Sequence, residues 1–125
     1  FMKLISFIYV FIGAGFGGSF RYFLSNFLAE KISVLFPYGT LAANFIGSLI
    51  IGLFIFNFAE KELVSNNLRL LIAIGFCGGL TTFSSFSIET LNLFRDSQYL
   101  LGFVNIALNL LLSFIGVLLG FLIAK

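Results

Sequence analysis

Four stretches of the chain carry no Asp, Glu, Lys or Arg for long enough to matter: residues 4–20 (resuming after Arg21 to residue 29), 32–59, 70–88 and 97–124. A membrane span needs about 20 mainly apolar residues, and a charge at its centre costs several kcal/mol. Each stretch therefore predicts a transmembrane helix. Pro37 and Gly39 push the start of the second to about Thr40. The predicted spans are about 4–29, 40–59, 67–94 and 98–124, forming one four-helix domain over residues 1–125. The connections hold Glu30 and Lys31, then Glu60, Lys61, Glu62 and Arg69, then Arg95 and Asp96, and are too short for an extramembrane domain. Function is expected inside the bilayer. Lys3 before an apolar run suggests a secretory signal, but the run exceeds the usual core of about 7–15 residues and lacks a small-residue cleavage site, so it reads as the first span. Phe1 precedes Met2 and is expected to be a trimmed tag residue.

Composition agrees with this pattern. Hydrophobic residues make up 60% and charged residues 10%, mean hydropathy is +1.13, and there are 19 Phe and 13 Gly. A soluble surface needs far more charge than that, so a soluble globular enzyme is excluded. The chain has no His and one Cys, which removes imidazole acid–base chemistry, His or Cys zinc sites and an intrachain disulfide. A formal net charge of +2 is too small and scattered for nucleic acid. If both termini share a side with the second connection, that side holds Lys3, Lys61, Arg69 and Lys125, against Lys31 and Arg95, plus Arg21 if it counts as juxtamembrane. So weak a bias permits insertion in both orientations, and two opposed copies would form an antiparallel homodimer with its axis in the membrane plane. Four helices of this length are thin for enclosing a pathway alone, so an oligomer is expected.

The third span holds the most unusual stretch. From Gly75 to Ser87 it reads GFCGGLTTFSSFS, three glycines and five hydroxyls in the middle of an apolar helix. Both residue types weaken helix continuity, and the expected break is near Gly78 and Gly79. Irregular backbone at that depth survives only buried in protein or facing a polar cavity, where freed carbonyls can hold a cation and freed amides can face an anion. The alternative is a glycine-rich helix used for close packing. Beyond the break, helical spacing puts Phe83 and Phe86 on one face about 60° apart, with Ser84 and Ser85 between them. Such pairs usually pack, yet ring edges are positive and can line an anion's path without a trapping charge.

Polar positions elsewhere fall on helix faces. In the second helix Asn44 and Ser48 share a face with Ala43, Gly47 and Gly52. In the fourth, Asn105, Asn109 and Ser113 recur every four residues, with Gly102, Gly116 and Gly120 within the same arc of about 80°. This stripe reads equally as interhelical glue and as pore lining. Two ionisable groups sit at membrane depth. Arg21 either snorkels to the interface or lends positive potential to an anion vestibule, and Glu89 pairs with Arg21 or with a backbone amide.

The segments GGSFRY (17–22), PYGTLAANFIG (37–47) and GFCGGLTTFSSFSIE (75–89) resemble the Fluc (CrcB) family of fluoride channels. The likeness covers essentially the whole chain, more loosely in the fourth helix. It implies a channel, not an enzyme, giving passive electrogenic fluoride efflux across the bacterial inner membrane. It further implies a dual-topology homodimer with two pathways and a broken third helix. By matching motif positions, Phe83 and Phe86 would present ring edges to fluoride. Asn44 would lie on the same path, Ser84 and Ser85 on a hydroxyl track, Ser113 as a pore hydroxyl, and Arg21 at the vestibule, with Glu89, from its depth alone, the second candidate charge there. The backbone carbonyls of Gly78 and Thr81 from both subunits would hold a central structural Na+ that is not transported. The rival from another class is a small dual-topology cation or drug antiporter, which would be expected to place a proton-coupled carboxylate in its first helix and to use Trp; this chain has Arg21 and no Trp. A third reading is a non-transporting assembly subunit in which the polar stripes are glue alone.

Overall fold

The computed structural model describes residues 2–124; Phe1, read above as a tag residue, and Lys125, counted in the charge tally, lie outside them. The described residues are helical throughout apart from short connections, and four helices are long and apolar enough to cross a membrane. We label them α1 (Leu4–Lys31), α2 (Tyr38–Ala59), the third span Asn66–Arg95 in two pieces, α3 (66–80) and α4 (Phe83–Arg95), and α5 (Tyr99–Ile123).

Helix α2 begins at Tyr38, two residues before the expected Thr40. Pro37 caps it from outside, where its missing N–H costs nothing, and Gly39 is buried with its Cα against the backbone of Ser25 in α1. Ser65 opens α3, its hydroxyl accepting from the Leu68 amide at 3.2 Å. Residues Leu70–Cys77 then widen into π-helical turns before Gly78–Leu80 returns to α.

The break in the third span falls at Thr81 and Thr82, not at Gly78 and Gly79. Thr81 (φ −82°, ψ 150°) and Thr82 (φ −151°, ψ 123°) are extended, whereas both glycines are helical, and among the described residues no glycine has a positive φ. The glycines pack instead. A Cβ at Gly79 would lie 2.6 Å from the Ala14 carbonyl oxygen, and one at Gly75 would lie 2.8 Å from that of Val10, while Gly13 and Gly17 press reciprocally on the backbones of Leu71 and Phe76. Lipid is as apolar as leucine, so helices in a bilayer gain by close van der Waals approach, which small residues permit.

The same device joins α2 to α5, where Gly120 sits on the backbone of Gly52, and a Cβ at Gly52 would lie 2.7 Å from the Val117 carbonyl oxygen. Two tight pairs result, α1 with α3 and α2 with α5, and α4 leans on α5 beside them. Lys61 donates to the Ala124 carbonyl at 3.3 Å, so the second connection and the end of α5 lie at one end of the bundle.

Candidate functional site

A groove of about 360 Å³ opens beside the break. Its walls carry Asn44 and Ser48 from α2, Thr81 and Thr82 from the break, Phe83 and Phe86 from α4, and Asn109 and Ser113 from α5. No charged side chain lines it among the described residues. The sequence-expected Asn44, Phe83, Phe86 and Ser113 therefore meet at one place. Ser84 and Ser85 are not in that lining: Ser84 is exposed, its hydroxyl 3.1 Å from that of Thr82, and Ser85 gives its amide to the Thr82 hydroxyl at 3.1 Å.

The phenyl rings stand edge to face, centroids 5.2 Å apart and planes at 69°. Phe86 is buried, whereas Phe83 is 72% exposed on this chain. The two helical positions share a face as the spacing requires, but only the inner ring is held by the bundle.

Side chains hold the break open. Asn44 accepts from the Thr82 amide through Oδ1 at 2.8 Å and donates through Nδ2 to the Thr82 carbonyl at 3.3 Å, much as a neighbouring strand would. Thr82 caps α4 with its own hydroxyl, and Thr81 returns its hydroxyl to the Cys77 carbonyl at 2.9 Å. Two carbonyls lose their helical donors as a result. In a continuous helix Gly78 would receive the Thr82 amide and Thr81 the Ser85 amide, but these go to Asn44 and to the Thr82 hydroxyl. Gly78 is exposed, and a Cβ there would meet nothing within 4 Å.

Arg21 is tied to the backbone of the third span. It lies ten residues before the end of α1, roughly 15 Å along the axis, and its Nε donates to the Gly79 carbonyl at 3.1 Å. Among the described residues Glu89 pairs neither with Arg21 nor with a backbone amide: Thr40 donates its hydroxyl to Oε2 at 3.0 Å, and Oε1 is buried with no hydrogen-bond partner. Glu89 and Thr40 face a second cavity of about 280 Å³ that Ser25, Asn92 and Asp96 also line. Sequence reasoning misses Thr40, although it stands one turn before Asn44 on the same face of α2.

The α5 stripe is glue where it is deepest. Asn105 and Asn109 are 0% and 4% exposed and hydrogen-bond to each other, to Asn44 and to Thr90. Thr90 too escapes sequence reasoning, though it follows Phe86 by one turn.

Known proteins are similar to this chain along most of its length. The sequence profile described as CrcB-like protein, Camphor Resistance (CrcB), matches residues 8–121. A Clostridium novyi protein named fluoride-specific ion channel FluC is 42% identical over 123 residues, covering 98% of this chain and 96% of that one. A protein of the same name from Pyrococcus abyssi is 41% identical over 128 residues, with 99% of each chain covered. Another from Shewanella loihica is 43% identical over 113 residues, with 90% of each covered.

Proposed function

The chain belongs to the CrcB-like family, and from that premise we infer that it is a fluoride-specific ion channel, a multi-pass bacterial membrane protein that lets the anion leave the cytoplasm passively. The observation that carries this reading is the uncharged groove where Phe83, Phe86, Asn44 and Ser113 converge on a helix break. A dehydrated anion needs positive partial charge, yet a fixed cation would trap it. Ring edges, hydroxyl hydrogens and amide hydrogens supply the first without the second. The break adds the N-terminus of α4, whose first-turn amides have no helical acceptor and carry the positive end of the helix dipole. Fluoride that entered as its neutral acid ionises in the more alkaline cytoplasm. A negative-inside potential then drives the anion out with about 2.3 kcal/mol per 100 mV. Arg21, bound to the Gly79 carbonyl just before the break, adds positive potential to the third span, and Glu89 lies at a separate cavity of about 280 Å³.

Two copies in opposite orientations complete the pathways. The weak cation bias supports this, and so do small and polar residues that one chain leaves exposed in its spans, Gly15, Ser19, Gly78, Ser84 and Ser87. Lipid tails offer these hydroxyls nothing, whereas a second copy does. Each copy brings one groove, giving two pathways per dimer. Between them, the carbonyls of Gly78 and Thr81 from both subunits would hold a structural Na+, whose charge would pin the two breaks together. The fit rests on the diversion of both carbonyls' helical donors and on the open space at Gly78. All-oxygen coordination suits a hard cation.

The deciding experiment is fluoride efflux from proteoliposomes under a potassium–valinomycin potential, read with a fluoride electrode. Protein-dependent efflux is expected; its absence sinks the channel. Exchanging Na+ for a larger cation during purification should abolish efflux, whereas Na+ moving with fluoride contradicts a structural ion. Cysteines introduced at one terminus should label equally from both sides of the membrane, and labelling from one side alone refutes opposed insertion.

A further inference from the structure

The bonds around Asn44 continue beyond it in one direction. The Thr82 amide donates to Asn44 Oδ1 at 2.8 Å, and Asn44 Nδ2 to Asn109 Oδ1 at 2.8 Å. Asn109 Nδ2 donates to Asn105 Oδ1 at 2.9 Å and to the Asn105 carbonyl at 2.9 Å, Asn105 Nδ2 to the Thr90 hydroxyl at 2.9 Å, and that hydroxyl to the Phe86 carbonyl at 2.7 Å. The relay leaves the break at Thr82, just before α4, crosses α2 and α5, and returns to α4 one turn later at the residue whose ring faces the groove.

Direction is what such a relay fixes. A side-chain amide has two orientations, and only one lets Asn44 both accept from the Thr82 N–H and donate to its carbonyl. Asn109 offers an acceptor to Asn44 and so selects that orientation. Asn109 is fixed in turn by the Asn105 backbone carbonyl, which cannot become a donor, and Asn105 by a threonine hydroxyl whose proton is committed to Phe86. With Asn105 and Asn109 almost wholly buried, a reversed amide would leave donors facing donors where water cannot compensate.

We propose that Asn105, which lies outside the groove lining, and Asn109, beyond its place in the groove wall, are positioning residues for conduction: they lock the Asn44 amide and through it the Thr81–Thr82 break. The proposal rests on the channel reading. Its test is Asn105→Leu, near in size, lacking both donor and acceptor and outside the groove lining, measured for fluoride efflux and for amide hydrogen exchange along the chain. Efflux should fall at least about tenfold, the rate change of a barrier raised by roughly 1.4 kcal/mol. Exchange should quicken in the segment holding Thr82 while α1 stays as protected as in the wild type. Unchanged efflux from folded protein, or exchange that quickens uniformly in α1 through α5, overturns the proposal, the second because it marks a merely structural residue. If Asn105→Leu does not fold, Asn105→Ser, which trades the amide for a shorter hydroxyl, is measured in the same two ways, and the same outcomes support or overturn the proposal. A wild-type chain without fluoride flux fails the channel reading instead, and the exchange pattern then still tests the relay.

Discussion

The two halves of the third span are held by opposite means. Helix α3 lies against α1 through backbone contact, with Gly75 and Gly79 of one seated on Val10 and Ala14 of the other. Helix α4 begins two residues later and is fixed by side chains, with Thr82 as its cap, Asn44 bridging its entry and Thr90 tying Phe86 to α5. The first arrangement is backbone laid on backbone. The second diverts backbone donors, frees carbonyls and opens a groove. Glycine in this membrane helix makes contact, and the irregular backbone is made by hydroxyls together with an asparagine from another helix.

The largest test of that contrast is steric. Gly79→Val pushes branched carbons into the α1 backbone and is expected to cost about 3 kcal/mol or more, read as loss of a monodisperse peak in size-exclusion chromatography. A folded Gly79→Val would mean that α1 and α3 are not locked. Next comes Phe86→Ile, which stays apolar, gives up part of the buried volume at a cost of about 1–3 kcal/mol and removes the ring edge. Fluoride efflux should drop by about tenfold or more, a barrier change of roughly 1.4 kcal/mol. A non-transporting packing role predicts no change.

Smaller still is Thr82→Val, which keeps the extended-favouring shape and deletes the cap. Loss of about 1 kcal/mol is expected in thermal or denaturant unfolding. Smallest is Gly78→Ala, where an added Cβ meets nothing within 4 Å of the single chain. The chain should fold with a stability change within about 0.5 kcal/mol. A collapse as severe as that of Gly79→Val would erase the difference between the two glycines.

Much of the fold was legible because charge is so rare. Arg21 and Glu89 apart, uncharged runs mark the centres of the spans, and the end of α1 extends only as far as Lys31, where a cation suits a helix C-terminus. The break was legible as a neighbourhood and misplaced by three residues. Gly78 and Gly79 are weak helix formers in water, but the value of Gly79 against α1 depends on a partner two helices away in sequence. The threonines break the helix only because Asn44 is there to receive the Thr82 amide.

For the site, helical spacing and family likeness brought out Asn44, Phe83, Phe86 and Ser113, which line one groove. The period-four recurrence of Asn105 and Asn109 was visible, but its direction was not, since an amide's orientation is set by neighbours. Arg21 and Glu89 show the same limit. Arg21 binds a carbonyl of Gly79, which no sequence pattern marks, and Glu89 takes the hydroxyl of Thr40, a residue whose polarity alone does not distinguish it from packing.

The central claim is that a groove without fixed charge passes fluoride by ring edges, amides and hydroxyls suited to that ion. It is tested most directly by recording fluoride and chloride release from the same proteoliposomes under one imposed potential. We predict that fluoride leaves in a protein-dependent burst while chloride stays behind; release of both at similar rates, or of neither, would contradict it.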